Sequence, residues 1–196
     1  MPDFLKSVPV AKQYTVPPVA VVLLLLLVFI LPEPVKLLLT YERDLIGQGQ
    51  VWRLLTGQWV HWGLGHFVMN VAGVFLLWLL FAEYAQGKRY VFAILGVAMM
   101  SNLGMYLFDS QVAYYVGFSG TIYGLFAWGA VQDVRQKAAF GWLLLIGVCA
   151  KVAYDMFVGA VSLGGSEVDA LAVSAHFYGV LAGGVLGLLQ KPVKLA

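Results

Sequence analysis

The decisive stretch of this sequence is Gly117-Phe-Ser-Gly-Thr-Ile-Tyr-Gly-Leu-Phe-Ala-Trp128, in which a serine between small residues opens a long apolar run. Small residues let membrane helices pack closely, and on its own a Gly-x-Ser-Gly motif is most often of that kind. The alternative interpretation is that Ser119 is a nucleophile. The positions of three histidines and one asparagine elsewhere in the chain favour this alternative.

The composition of the chain indicates an integral membrane protein. Of its 196 residues, 61% are hydrophobic and 11% are charged, and the mean hydropathy is +0.85. Soluble domains have roughly 45–50% apolar and 25% charged residues. The length suffices for about six spans of ~20 residues with short loops. The net charge of +2 is too small to indicate nucleic-acid binding, and the single Cys149 excludes an internal disulfide.

Six apolar runs predict six transmembrane helices, because backbone groups in lipid must be paired within their own segment or in a closed barrel. The alternation typical of barrel strands is not visible in the sequence. We therefore predict an all-α membrane protein, a six-helix bundle forming a single domain over residues 1–196. The predicted spans are residues 17–31, 64–83, 90–108, 117–133, 138–158 and 171–190.

The distribution of Lys and Arg predicts the orientation of the bundle. With the N-terminus in the cytoplasm, the cytoplasmic segments carry eight of these residues and the outer segments carry three. Both termini are therefore expected in the cytoplasm. The first apolar run is followed by Pro32-Glu-Pro34 and not by a small-residue cleavage site, so we expect it to remain as a span. The longest loop, residues 32–63, then lies outside, in the membrane interface.

The few polar residues of the apolar runs are predicted to lie near one membrane face. Spans two, four and six all begin at the outer face, and their openings contain His61, His66, Asn70, Ser119 and His176. All five lie within about two helical turns of that face. Polar side chains at this depth usually face a wet cavity and have a function. His66 and Asn70 are four residues apart and project in the same direction.

A stripe of small residues predicts which helix packs against span four. Span six carries small residues at every fourth position, namely Ala175, Gly179, Gly183 and Gly187. Such a stripe allows close helix packing, and Gly120 and Gly124 form a matching stripe in span four. If these two spans are neighbours, the imidazole of His176 comes within reach of Ser119 Oγ.

A serine with a histidine base is the minimum equipment for covalent acyl transfer. The negative carbonyl oxygen of the tetrahedral intermediate needs hydrogen-bond donors placed in advance. His66, Asn70 and the backbone N–H of Ser119 can supply these donors. Tyr123, four residues after the serine, places an aromatic ring beneath it. No acidic residue is clearly placed to complete a triad.

Two other residue pairs have a spacing that bears on other kinds of site. His61 and His66 project about 140° apart on a helix and have no acidic or thiolate companion, so a metal site is not expected. Lys151 and Asp155 are four residues apart within a span. We interpret them as a buried or cavity-facing ion pair, with recognition of substrate charge as the alternative.

These residues, taken together and in order, resemble the rhomboid intramembrane serine proteases over nearly the whole chain. Each motif is modest by itself, but the combination in the right spans is specific. The motifs are Trp52-Arg53, His61-x4-His66-x3-Asn70, Glu83-x3-Gly87, Gly117-x-Ser119-Gly120 with Tyr123, and Ala175-His176-x2-Gly179-x3-Gly183.

The resemblance implies a catalytic dyad of Ser119 and His176 without a triad acid and without a cofactor. It makes His66, Asn70 and the Ser119 backbone N–H the oxyanion hole. Gly117 would leave room for backbone close to the nucleophile, Arg53 would order the first loop, and His61 would be structural or near substrate. The supporting residues of the site are then Gly117, Gly120, Tyr123, His61, Trp52 and Arg53.

Two segments look more like the rhombosortase branch of this family: Thr56-Gly-Gln-Trp-Val-His61 and Ala175-His-Phe-Tyr-Gly179. This resemblance implies that the substrates are exported proteins of Gram-negative bacteria. Their C-terminal anchor consists of a Gly-Gly motif, one transmembrane helix and a basic tail. The resemblance implies cleavage near the periplasmic face of the inner membrane. Span five and the glycine-containing loop 159–170 are expected to form the gate for substrate.

Two other functions are alternatives to proteolysis. A catalytically inactive rhomboid-like protein would bind or escort membrane spans, but such relatives typically lose the serine or the histidine, and this chain keeps both. A small transporter or channel would place its polar groups near the membrane midplane, whereas these are predicted near one face.

Overall fold

The structure, a computed structural model, describes residues 8–159 and 168–191. Two short strands, β1 (Tyr41–Glu42) and β2 (Tyr114–Tyr115), pair antiparallel with Tyr41 opposite Tyr115. The helices are α1 (Lys12–Phe29), α2 (Glu33–Leu39), α3 (Arg43–Gly47), α4 (Arg53–Thr56), a 3₁₀ turn (Gly57–Trp59), α5 (Leu64–Phe81), α6 (Gly87–Phe108), α7 (Ser119–Arg135), α8 (Gly141–Val158) and α9 (Val168–Leu189).

Each of the six predicted spans corresponds to one long helix, so the predicted helical architecture is confirmed, with one short strand pair in addition. By length and composition, α1, α5, α6 and α8 are long and apolar enough to cross a membrane, and α9 contains a shorter apolar stretch, Val173–Leu189. Helix α7 has 17 residues. The number of spans that cross the bilayer therefore stays a prediction.

Two helix boundaries differ from the prediction for identifiable reasons. Helix α1 begins at Lys12 and contains Pro17 and Pro18, whose missing N–H groups interrupt the hydrogen-bond ladder only near the start of the helix,. Helix α7 begins at Ser119 and not at Gly117. The φ angle of Gly117 is 116°, outside the helical region,. The serine is therefore the first residue of its helix and does not lie a turn inside it.

Helix α7 is the centre of the bundle and packs against α5, α6, α8 and α9. Its contact with α9 is a backbone contact at two levels. A Cβ added at Gly179 would overlap the carbonyl oxygen of Gly120, and one added at Gly183 would overlap that of Gly124. The predicted pairing of the two glycine stripes is thus present, and it fixes the height at which α9 meets the first turn of α7.

The loop between α1 and α5 is folded into short helices held by Arg53. This side chain is buried, and its guanidinium donates hydrogen bonds to the carbonyl oxygens of Leu37 at 2.7 Å and Thr40 at 2.6 Å, and to Gln50 Oε1 at 2.8 Å. Because one side chain joins α2, the residue before β1 and the turn that precedes α4, it orders the segment that leads to the site.

Helix α8 ends at Val158, and Gly159 follows it with a φ angle of 109°. Most of the loop expected to serve as a gate, residues 160–167, lies outside the described residues. The gate therefore stays a prediction.

Candidate active site

The nucleophile candidate lies where an irregular segment turns into α7. The chain leaves β2 and passes Gly117, whose N–H donates to the carbonyl oxygen of Gly57 at 3.3 Å. Phe118 is the residue preceding the helix and is fully buried. Ser119 then occupies the first helical position, at the positive end of the helix dipole. A glycine with left-handed φ is what allows this abrupt entry into the helix,.

Ser119 and His176 are in contact across the α7–α9 interface. His176 Nε2 lies 2.9 Å from Ser119 Oγ, a hydrogen-bonding distance at which the neutral imidazole accepts from the hydroxyl,. The ring of Tyr123 stacks on the imidazole with a centroid distance of 4.1 Å and an interplanar angle of 19°. The serine, the histidine and the supporting ring therefore form one compact group.

The two residues just before His176 are tied to α6 and to Asp109, the residue that follows it. Ser101 Oγ donates to the carbonyl oxygen of Ala175 at 2.7 Å, and Ser174 Oγ donates to the carboxylate of Asp109. Ser101 and Ala175 are both fully buried. The sequence patterns did not single out Ser101 or Asp109, and their contacts hold the imidazole at a fixed height on α9.

His66 lies against the backbone of the nucleophile segment. A Cβ built on Gly117 would overlap the Cε1 and Nε2 atoms of the His66 ring. Asn70 is buried one turn further along α5, and its Nδ2 donates to the carbonyl oxygen of His66 at 2.9 Å. Its Oδ1 has no hydrogen-bond partner among residues 8–159 and 168–191. The structure thus brings His66 to the site and places Asn70 directly behind it on the same helix.

His61 packs beside His66 and does not reach the serine–histidine pair in any described contact. The His61 ring is fully buried, its Nδ1 lies 3.2 Å from the carbonyl oxygen of Trp59, and its centroid is 4.9 Å from that of His66. Burial, with a smaller contribution from the nearby His66, lowers the pKa of His61 to about 4,.

Trp52 is half exposed and donates from Nε1 to the carbonyl oxygen of Leu38 at 3.1 Å, so its contact supports the loop.

Two residues at the site were missed by sequence reasoning. The hydroxyl of Tyr115 lies 3.4 Å from Ser119 Oγ and also contacts the backbone of Gly117 and Gly120. The side chain of Gln58 accepts from the N–H of Thr121 at 3.2 Å. Burial raises the pKa of Tyr115 to about 12, so its phenol stays protonated and can donate a hydrogen bond at neutral pH,.

The predicted ion pair between Lys151 and Asp155 is present on α8. Lys151 Nζ lies 2.6 Å from Asp155 Oδ1, and the Asp155 side chain is almost fully buried, whereas that of Lys151 is 46% exposed. Lys151 also interacts electrostatically with the hydroxyl of Tyr123. Within the described ranges, no group of three or more His, Cys, Asp or Glu side chains is placed to hold a metal ion.

The fold and the site together define a helical membrane protein with a serine–histidine pair at the first turn of a central helix. Comparison with known proteins narrows this class. The Rhomboid domain family model matches residues 48–192, which is most of the chain. The chain therefore belongs to the rhomboid family, whose members are typically intramembrane serine proteases.

Individual relatives agree with this assignment. The chain is 30% identical over 144 residues to the rhomboid-protease homologue YdcA of Bacillus subtilis (strain 168), covering 74% of this chain and 69% of the relative. It is also 30% identical over 158 residues to RHOMBOID-like protein 5 of Arabidopsis thaliana, covering 77% of this chain and 48% of the relative. RHOMBOID-like protein 2 of the same plant is 27% identical over 156 residues. The chain spans about half the length of these plant relatives.

Proposed function

We propose that this protein is an intramembrane serine protease that cleaves single-span membrane proteins, with Ser119 as nucleophile and His176 as general base. The observation that carries the proposal is the 2.9 Å contact between Ser119 Oγ and His176 Nε2 in a chain of the rhomboid family. A hydroxyl and an imidazole at this distance are the pair that covalent acyl transfer requires.

The reaction follows from this contact. As Ser119 Oγ forms a bond to the carbonyl carbon of the substrate, His176 Nε2 takes the hydroxyl proton. The C–N bond then breaks, and the imidazolium returns the proton to the leaving amine. In the second half, His176 removes a proton from water, which attacks the acyl-enzyme. The released acid then separates from Ser119, whose oxygen recovers its proton from the imidazolium.

The negative carbonyl oxygen would be bound by the Ser119 N–H and the side chains of His66 and Asn70. Support comes from the helix start, because the Ser119 N–H lies at the positive end of α7 and makes no hydrogen bond within the described ranges,. His66 supports the same assignment because its ring lies against Gly117, two residues before the nucleophile. Gly120 supports the site by letting α9 approach the helix start.

We further propose that all six long helices cross the membrane, with both termini in the cytoplasm and the site near the periplasmic face of a bacterial inner membrane. The asymmetric distribution of Lys and Arg between the loops supports this orientation,. Protease accessibility or cysteine labelling at the start and end of the chain, in sealed inner-membrane vesicles, would test it.

The substrates we propose are exported proteins with a C-terminal Gly-Gly anchor. Support comes from the segments Thr56-Gly-Gln-Trp-Val-His61 and Ala175-His-Phe-Tyr-Gly179, which look like the rhombosortase branch. The test is co-expression with an anchored protein bearing that tail, followed by mass spectrometry of its new C-terminus. A processed C-terminus at the anchor in wild type and not in Ser119→Ala is expected. Processing of other single-span proteins, with the Gly-Gly anchor left intact, would contradict this substrate class.

The nucleophile is tested by labelling purified protein with a fluorophosphonate probe, which forms a covalent adduct with an activated serine. We expect labelling of wild type that is lost in Ser119→Ala and strongly reduced in His176→Ala. Ser110→Ala, an exposed loop serine outside the site, is the matched control and should label like wild type. Unchanged labelling of Ser119→Ala would refute the assignment. Normal cellular function of both site variants would instead support a binding or chaperone role without catalysis.

A further inference from the structure

The first turn of an α-helix has backbone N–H groups that no carbonyl of the same helix can accept. The N–H of Ile122 is the first in α7 to donate to a backbone carbonyl. It donates to the carbonyl oxygen of Phe118, the residue before the helix, at 2.9 Å. The N–H groups of Gly120 and Thr121 are instead taken up by side chains from outside the helix. The Ser119 N–H has no partner in the described part of the chain, so it is the donor that this pattern of capping leaves available.

Tyr115 caps the N–H of Gly120. The phenol has one proton, and its oxygen lies 3.0 Å from the carbonyl oxygen of Gly117, which can only accept a hydrogen bond,. The same oxygen therefore accepts from the Gly120 N–H, at 3.3 Å. The side chain is buried and forms a bridge across the turn between Gly117 and Gly120, with Ser119 Oγ 3.4 Å from the bridging oxygen.

Gln58 caps the N–H of Thr121. Because this N–H is always a donor, the atom facing it must be the amide oxygen of Gln58, which also accepts from Thr121 Oγ1 at 3.0 Å,. The amide nitrogen of Gln58 donates to Asn102 Oδ1 on α6 at 2.8 Å, and the Gln58 side chain is fully buried. The preceding residue, Gly57, accepts from the Gly117 N–H. The 3₁₀ turn thus holds the nucleophile segment at two points.

We propose that Tyr115 and Gln58 are positioning residues for the reaction proposed above, on which this inference rests. By binding the two N–H groups that follow Ser119, they fix the first turn of α7 so that the Ser119 N–H points at the developing oxyanion. Neither side chain needs to touch the substrate. The effect belongs to the transition state, because the value of an oxyanion donor depends on its orientation before the charge appears.

The test compares Tyr115→Phe and Gln58→Met with wild type, using a fluorogenic transmembrane substrate in detergent or vesicles. Each substitution removes the capping atom and keeps a side chain of similar size. We expect kcat to fall about tenfold in each variant, with KM within about twofold, because orientation of an oxyanion donor acts mainly on kcat. Tyr114→Phe is the matched control, since this neighbouring tyrosine is exposed and its hydroxyl lies 3.5 Å from Glu42 Oε1; it should match wild type.

Two measurements separate positioning from a purely structural role. Titration of active sites with the fluorophosphonate counts competent molecules, and thermal unfolding reports folding. A low kcat per titrated site with an unfolding temperature close to that of wild type supports positioning. If activity falls only in proportion to the number of titrated sites, or if kcat is unchanged, the positioning role is overturned. The Ser119-dependent activity of wild type is unaffected by that result. A wild-type protein without Ser119-dependent activity would instead refute the proposed function.

Discussion

The α-carbon of Gly117 faces the imidazole of His66 so closely that any side chain at this position would occupy the space of the ring. The same glycine has a φ angle of 116°, which other residues rarely adopt,. The sequence interpretation assigned this space to backbone near the nucleophile. In the structure this space is filled by the imidazole of His66, a proposed oxyanion donor. The glycine at position 117 therefore determines both the turn into α7 and the position of His66.

Substituting Gly117 should therefore strongly reduce activity and moderately lower stability. We expect Gly117→Ala to displace the His66 ring and to lower kcat/KM by at least about a hundredfold, the effect typical of losing one oxyanion donor. The strained φ adds a cost of about 1–3 kcal/mol. Gly65→Ala is the control, because this nearby glycine of α5 has no heavy atom within 4 Å of an added Cβ. Equal activity of the two variants would contradict the proposed place of His66.

The buried His61 should make the protein less stable as the pH falls. Its pKa of about 4 in the folded state lies below the value of about 6.5 expected in the unfolded chain, so the unfolded state binds the proton more readily,. The stabilisation is complete above pH ~6.5 and is lost between pH ~6.5 and ~4, by at most about 3 kcal/mol.

Unfolding free energies of wild type and His61→Asn, measured at several pH values between 4 and 7.5, test this prediction. The variant should be less stable overall because it loses packing, but its stability should depend less steeply on pH. Parallel pH curves would show that His61 does not titrate in this range.

The sequence predicts the contact between Ser119 and His176 but not the contacts of Tyr115 and Gln58. The approach of Ser119 and His176 is foreseeable, because small residues at every fourth position mark the faces on which α7 and α9 meet,. Tyr115 and Gln58 are not foreseeable in this way. They lie in a short strand and a 3₁₀ turn, where side-chain direction follows no helical period and depends on the path of the loop,.

The start of α7 shows the same limit. Apolar periodicity starts the predicted span at residue 117, but the left-handed φ of Gly117 keeps this residue out of the helix, which begins two residues later at Ser119. A glycine in an apolar run is compatible with a helix, a turn or a close contact, and only the surrounding structure selects among them. The Arg53 hydrogen bonds likewise join carbonyl groups whose positions are set by the folded loop.

Replacing Arg53 by lysine should destabilise the protein in spite of the conserved charge. The guanidinium donates in three directions, to two carbonyl oxygens and to Gln50 Oε1, and an ammonium cannot reproduce that planar geometry,. We expect a loss of about 1–3 kcal/mol, the usual cost of buried groups left unpaired. Thermal unfolding in detergent measures it. Trp52→Phe, which removes one hydrogen bond of a half-exposed side chain, should cost less.

Substitutions of Lys151 and Asp155 should have non-additive effects on stability. Lys151→Met leaves the buried carboxylate of Asp155 without its cation, which should lower the unfolding temperature clearly,. The double variant Lys151→Met/Asp155→Leu removes both charges, and we expect it to recover most of that loss, because paired apolar replacement of an ion pair is often neutral. A double variant less stable than the single one would mean that Asp155 has a stabilising partner other than Lys151.

The backbone contact between α7 and α9 makes two adjacent glycines respond oppositely to the same substitution. A Cβ at Gly183 overlaps the carbonyl oxygen of Gly124, so Gly183→Ala must push the helices apart and separate His176 from Ser119. We expect a loss of about 2 kcal/mol or more, as for overpacking of a tight interface, together with loss of fluorophosphonate labelling. At Gly184 no heavy atom lies within 4 Å of an added Cβ. Gly184→Ala should keep activity and raise the unfolding temperature slightly, because alanine favours the helix by up to about 1 kcal/mol.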